Sequence, residues 1–125
     1  MMVEIEVANR SGAELDLGAA ADLIREVLAA EGVAEGEVGL QLVGAEEIRA
    51  LKRDHLGVDE ETDALAFPID GRDALPEGVP RQLGDVVLCP QVVGEAWRAP
   101  LVHALLHLLG YDHGAEMEMR EQEYA

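Results

Sequence analysis

The sequence predicts an α+β fold, a small mixed β-sheet packed with helices. Three observations carry this reading. The stretch "MVEIEVAN" alternates apolar and acidic residues with period two, two helix-period segments are interleaved with a second strand, and the strongly apolar "LGDVVLCP" precedes a part that is almost wholly helical in pattern. A chain of 125 residues can build one core and is too short for two ordinary ones, so residues 1–125 are expected to form a single domain. It holds no internal repeat, low-complexity tract or interdomain linker.

In "MVEIEVAN", Val3, Ile5 and Val7 alternate with Glu4 and Glu6, the pattern of a strand with one buried face that starts a sheet. In "LGAAADLIREVLAAEG", Leu17, Ala20, Leu23, Ile24, Val27 and Leu28 recur at helical spacing, and Gly32 stands where a left-handed residue ends a helix. "EVGLQLV" reads as a second strand and "AEEIRALKRDHLG" as a second helix closing at Gly57. After an acidic loop, "TDALAFPID" holds a short strand ending at Pro68, whose missing N–H favours an edge or an exit from the sheet. "GRDALPEGVPRQ" is a turn-rich loop, and "LGDVVLCP" follows as a strand apolar enough to be central. The remainder is helical: a short "QVVGEAW", a helix opened by Pro100 that carries His103 and His107, and the acidic "AEMEMREQEYA".

The net charge of −17 argues against a protein held to nucleic acid or anionic membranes by long-range attraction, so any RNA contact must be local. An aromatic content of 3% is too sparse for a base-stacking platform. Cys89 is the one cysteine and cannot form an intramolecular disulfide. With neither a signal-peptide pattern nor an apolar run of membrane-spanning length, a cytoplasmic location without membrane contact is expected.

The segment "HALLHLLGYDH" concentrates the chemistry. It reads H-x-x-x-H-x-x-G-x-x-H, the histidine spacing of a large class of zinc peptidases, with Ala104 where those enzymes carry a glutamate base. Residues four apart share a helix face, so His103 and His107 can turn ring nitrogens to one ion. Gly110 can end the helix in a left-handed conformation and let the chain fold back to deliver His113 as a third ligand. Three of the chain's four histidines fall in this one spacing. Three neutral nitrogens suit one zinc ion per chain and leave a fourth position for water, as in catalytic sites, where the pKa of such water drops to roughly 7. Leucines 101, 105, 106, 108 and 109 cover much of the rest of the helix, which is expected to be buried with its histidine side open to a cleft. Asp112 is placed either to accept the free ring N–H of a ligating histidine or to cap the following helix.

Cations are few. Arg49, Lys52 and Arg53 form one basic stripe at spacings of three and four on the second helix. It can serve as a substrate-binding phosphate clamp or be spent on pairing with Glu46, Asp54 and solvent. His55 can approach the metal or a phosphate, or simply end the helix. Asp63 and Asp85 are candidates to cap or brace loops near the cleft.

On these residues the chain resembles the YbeY family of bacterial metal-dependent endoribonucleases, also described as rRNA maturation factors. "TDALAFP" is similar to the family's T-D/N-V-L-S-F-P, "LGDVVLCPQVV" to its L-G-D-I-V-I segment, and "VHALLHLLGYDH" to V-H-G-x-L-H-L-L-G-Y-D-H. The resemblance implies a zincin-like single metal-dependent hydrolase domain in which His103, His107 and His113 hold zinc. It further implies hydrolysis of single-stranded ribosomal RNA, in 16S rRNA 3'-end maturation and ribosome quality control, with the small ribosomal subunit as partner and no DNA substrate. The chain differs from the pattern in three places. His55 and Leu56 stand where the family has a tyrosine and an arginine, the segment between "CPQVV" and the metal helix is shorter, and Ala104 replaces a glycine.

Peptide hydrolysis needs a base for water and an acid for the leaving amine, roles the missing glutamate would fill. A phosphodiester's developing charge can be stabilised mainly by metal and cations, so the missing carboxylate weakens a peptidase reading more than a nuclease one. Two alternatives remain open at this point: a zincin-type peptidase recruiting Asp112 or Glu116 as base, and a non-catalytic ribosome-associated zinc protein. The nucleophile of an RNA cleavage, water or the ribose 2'-hydroxyl, is equally open.

Overall fold

The computed structural model of the chain describes residues 3–60 and 62–125. Met2 of the first strand stretch and Glu61 of the acidic loop lie outside the described residues. The elements run β1 (Val3–Asn9), α1 (Leu17–Ala30), β2 (Gly36–Leu42), α2 (Ala45–Leu56), β3 (Ala64–Pro68), β4 (Gln82–Leu88), α3 (Pro90–Val93), α4 (Arg98–Leu108) and α5 (Ala115–Tyr124). The strands form one mixed sheet in the order β1-β2-β4-β3. β1 and β2 pair in parallel, as do β2 and β4, while β3 runs antiparallel to β4. The α+β architecture read from the sequence is therefore the one the chain adopts, with the apolar β4 inside the sheet and β3, ending at Pro68, on its edge.

Helices cover both faces. On one, Ala20, Leu23, Ile24, Val27 and Leu28 of α1 and Leu101, Val102, Leu105 and Leu108 of α4 pack with Val38, Leu40, Leu42, Val86 and Leu88 of the sheet. On the other, Ile48 of α2 packs with Leu65 of β3, Val87 of β4 and Cys89. The alternation of Val86 with Val87 between the two clusters is the period-two signature of a strand buried on both sides.

Local chemistry sets the helix ends. Asp16 caps α1, its Oδ1 accepting from Ala19 N at 3.0 Å. Leu17, expected on the core stripe, is 38% exposed, because it is the first residue after that cap and precedes the turn that meets the sheet. Gly32 closes α1 at φ 77°, with Gly32 N–H donating to Ala29 O and Val33 N–H to Leu28 O, the paired bonds of a Schellman motif. Gly57, at φ 73°, closes α2 as its spacing suggested.

Pro100 does not open α4. The helix starts at Arg98 after Trp97, and Pro100 occupies its third position, where an amide hydrogen would still lack an intrahelical acceptor. The segment leading to α4 is reduced to the single turn of α3 and a reversal at Gly94, in keeping with the short spacing there. α4 also lies close to the sheet. A Cβ on Gly84 of β4 would stand 2.3 Å from Phe67 O and 3.0 Å from Leu108 Cδ2, so only a glycine, here at φ 130°, admits both neighbours.

Candidate metal centre

α4 is apolar almost all round. From Leu101 to Leu109 every residue is buried except His103 and His107, which are half-buried on its one open side. The two rings stand with centroids 4.6 Å apart and their Nε2 atoms 3.1 Å apart. The helix ends in a second Schellman motif: Gly110, at φ 95°, donates to His107 O at 3.0 Å and Tyr111 N–H donates to Leu106 O at 3.1 Å. That reversal brings the exposed His113 ring to centroid distances of 5.1 Å from His103 and 4.8 Å from His107. One ring nitrogen from each of the three histidines lies within 4.8 Å of the others, so the three could hold a metal ion.

The hydrogen-bond partners fix which nitrogens face inward. His107 Nδ1 meets Tyr111 O at 3.0 Å, and His103 Nδ1 meets Glu121 Oε1 of α5. A carbonyl and a carboxylate can only accept, so each Nδ1 carries the hydrogen and each Nε2 of the neutral rings presents a bare lone pair. Two such lone pairs at 3.1 Å repel unless a shared proton or a metal cation stands between them. That separation is close to the edge of about 3.4 Å that a tetrahedron with zinc–nitrogen bonds of about 2.0–2.1 Å requires. The donor set therefore fits a divalent ion of borderline softness such as zinc. Electrostatics agree: burial depresses the His107 pKa and the nearby His103 adds to this, against the Tyr111 carbonyl, favouring the neutral ring that a metal needs.

Asp112 takes neither role expected of it. The outer nitrogens of His103 and His107 are served by Glu121 and Tyr111 O, and α5 begins after Gly114 with no side-chain cap. Asp63 does brace its loop, accepting from Ala64 N at 2.7 Å. Asp85 instead sits within the sheet opposite Gly39 of β2, on the Val87 face, away from the α4 side. On α2, Arg49 pairs with Asp59 at 2.7 Å, Lys52 with Glu60 at 2.8 Å and Arg53 with Asp54 at 3.2 Å. The Asp54 pair was anticipated, whereas Asp59 and Glu60 belong to the acidic loop that follows the helix. His55 packs edge-on against Phe67, ring centroids 5.0 Å apart, and Leu56 beside it is 60% exposed.

Sequence reasoning missed Glu121 and a cluster around Glu31. The Glu31 side chain, at the end of α1, keeps 1% of its surface in solvent and accepts from Arg72, Tyr111, Arg120 and Tyr124. One signal was available: an acid at the negative end of a helix is unfavourable unless something else holds it there.

The comparisons with known proteins meet this geometry at the same residues. The model of the family described as Endoribonuclease YbeY matches residues 6–125, which include all three histidines. A protein of Salinispora tropica named Endoribonuclease YbeY is 37% identical, with 95% of this chain and 88% of that protein covered. One of Chloroflexus aurantiacus with the same name is 38% identical, with 98% and 94% covered. A solution structure from Thermotoga maritima superposes with a TM-score of 0.61 at 27% identity, covering 98% of this chain and 86% of that one. With the match running from the first strand through the histidine turn to α5, the chain belongs to the Endoribonuclease YbeY family.

Proposed function

We propose that this protein is a zinc-dependent endoribonuclease specific for single-stranded RNA, acting in the cytoplasm on the 3' end of 16S rRNA and in ribosome quality control, with residues 1–125 as one hydrolase domain. The single observation that carries the reading is the pair of Nε2 atoms of His103 and His107 facing each other at 3.1 Å, joined by His113 and with no carboxylate on the helix between them. Family membership supports the substrate class.

His103, His107 and His113 would hold one zinc ion. When bound, zinc supplies Lewis acidity toward a phosphoryl oxygen and toward water. The chain's own groups do the rest. Glu121 and the Tyr111 carbonyl hold the ring tautomers, and the leucines around α4 keep water from the core side of the site. Ala104, 2% exposed, fills the place of a peptidase glutamate with a methyl group, which supports phosphodiester over peptide chemistry. We assign substrate binding to Arg49, Lys52 and Arg53, whose guanidinium and ammonium groups would exchange Asp59, Glu60 and Asp54 for phosphates. With a net charge of −17, positioning by a ribosomal surface would supplement the protein's own weak attraction for RNA.

The test compares wild type with His107→Ala for zinc content and for cleavage of a defined single-stranded RNA and of a peptide. One zinc per chain, RNA cleavage and loss of both in the variant are expected. Equal zinc and equal cleavage in the two proteins, or peptide cleavage with RNA intact, overturns the reading. A 2',3'-cyclic phosphate among the products would identify the ribose hydroxyl as nucleophile; its absence would point to water.

A further inference from the structure

Glu31 is costly where it stands. Its carboxylate is withdrawn from water at the carboxyl end of α1, where the backbone carbonyls already concentrate negative charge. Four side chains from three other parts of the chain converge on it. Arg72, in the loop after β3, donates to Oε1 at 2.7 Å and to the Glu31 carbonyl at 3.0 Å, and Tyr111 Oη donates to Oε1 at 2.7 Å. From α5, Arg120 donates to Oε2 at 2.9 Å and Tyr124 Oη donates to the same oxygen. Replacing such a group by apolar residues is often neutral or favourable for stability, so stability alone is a weak reason for the cluster.

What the cluster holds is Tyr111. Both guanidinium carbons, of Arg72 and Arg120, lie against the Tyr111 ring, at 5.6 and 5.8 Å from its centroid. The same residue's N–H bonds Leu106 O, and its carbonyl accepts from His107 Nδ1. Two residues further on stands His113. The ring of Tyr111 is thus pinned to α1 while its peptide groups orient one histidine and start the turn that carries another.

We propose that Glu31 and Tyr111 are positioning residues of the metal centre: the buried carboxylate fixes the tyrosine ring, and through it the carbonyl that sets the His107 tautomer and the reach of His113. This rests on the reading of the three histidines as metal ligands. Neither residue touches the ion; they act by keeping the ligand nitrogens in place before it arrives, so that binding does not have to order the turn.

The test measures Zn2+ affinity by competition with a chromophoric chelator, and the visible spectrum of the Co2+-loaded protein, for wild type, Tyr111→Phe, Glu31→Gln and the double variant. Leu23→Ala, in the core of α1, serves as a control that lowers the melting temperature while leaving the side chains of Glu31 and its four partners unaltered. Tyr111→Phe and Glu31→Gln should each weaken Zn2+ binding by about tenfold or more and alter the Co2+ spectrum. The double variant should be little worse than Tyr111→Phe alone, because on this proposal Glu31 reaches the ligands through the tyrosine. Leu23→Ala should keep wild-type affinity. Wild-type Zn2+ affinity and Co2+ spectrum in both single variants overturn the proposal while leaving the metal reading intact. If Glu31→Gln fails to fold, Tyr111→Phe, which removes one oxygen atom, decides alone. A wild-type protein that binds neither ion removes the metal reading and the proposal together.

Discussion

Tyr111 Oη donates to Glu31 Oε1 at 2.7 Å across 80 residues of chain. The bond joins two helix ends of the same design: α1 and α4 each close in a Schellman motif on a glycine, Gly32 and Gly110, and the residues flanking those glycines meet. The histidine turn is therefore seated on the first helix as well as on the helix that carries His103 and His107.

Gly110→Ala tests the turn. A Cβ there would meet nothing within 4 Å, so the cost is confined to the left-handed backbone at φ 95° and should be about 1–2 kcal/mol. Denaturant unfolding of the metal-free protein measures it, and an unchanged midpoint would show that the turn tolerates a side chain.

Glu121→Ala tests the outer partner of His103. With the carboxylate gone, the Nδ1 hydrogen loses its acceptor and the ring its fixed tautomer, and Zn2+ affinity should fall about 10–100-fold. Chelator competition reads the change directly. Wild-type affinity would mean that α4 alone orients the ring.

Acid should weaken the fold through Glu31. Burial pushes its carboxyl pKa up, but the hydrogen bonds from Tyr124, Tyr111 and Arg72 and the charge of Arg120 outweigh it and hold it below the ordinary 4.5. Because the unfolded chain takes up this proton first, the contribution is complete above about pH 4.5 and is lost as pH falls through the lower folded value. Urea midpoints of wild type and Glu31→Gln should accordingly converge as pH drops from about 7 toward 3; a constant gap between the two proteins would refute this.

The α2 stripe predicts a salt dependence. If Lys52 and Arg53 each neutralise one phosphate, Lys52→Ala and Arg53→Ala should each reduce the slope of log affinity against log salt by about 0.7 for a single strand. Titration of a single-stranded RNA at several salt concentrations measures the slope. Identical slopes would leave both side chains to Glu60 and Asp54.

The parts legible in the sequence were those set by local spacing. His103 and His107 lie four apart on one helix, Gly110 supplies a left-handed end, and β4 announces its place between neighbours by apolar residues on both faces. The start of α4 was not, since a proline is tolerated anywhere in the first turn and Pro100 alone cannot say which position it holds. Nor were the outer partners. Glu121 lies 18 residues from His103 and Glu31 lies 80 from Tyr111, so only the packing of α5 and α1 around α4 brings them together. Asp112 drew attention because it adjoins His113, but it is the carbonyl of the residue before it that meets the His107 ring.

The position of these residues along the chain has a consequence for biosynthesis. All three imidazoles and Glu121 come after residue 100, whereas the sheet and α1 that support them are made earlier. A polypeptide released by a stalled ribosome before residue 103 carries the sheet and α1 without any of the three imidazoles. If the three imidazoles bind a metal as proposed, such a fragment has no ligands to offer it, and translation must pass His113 before the set is complete.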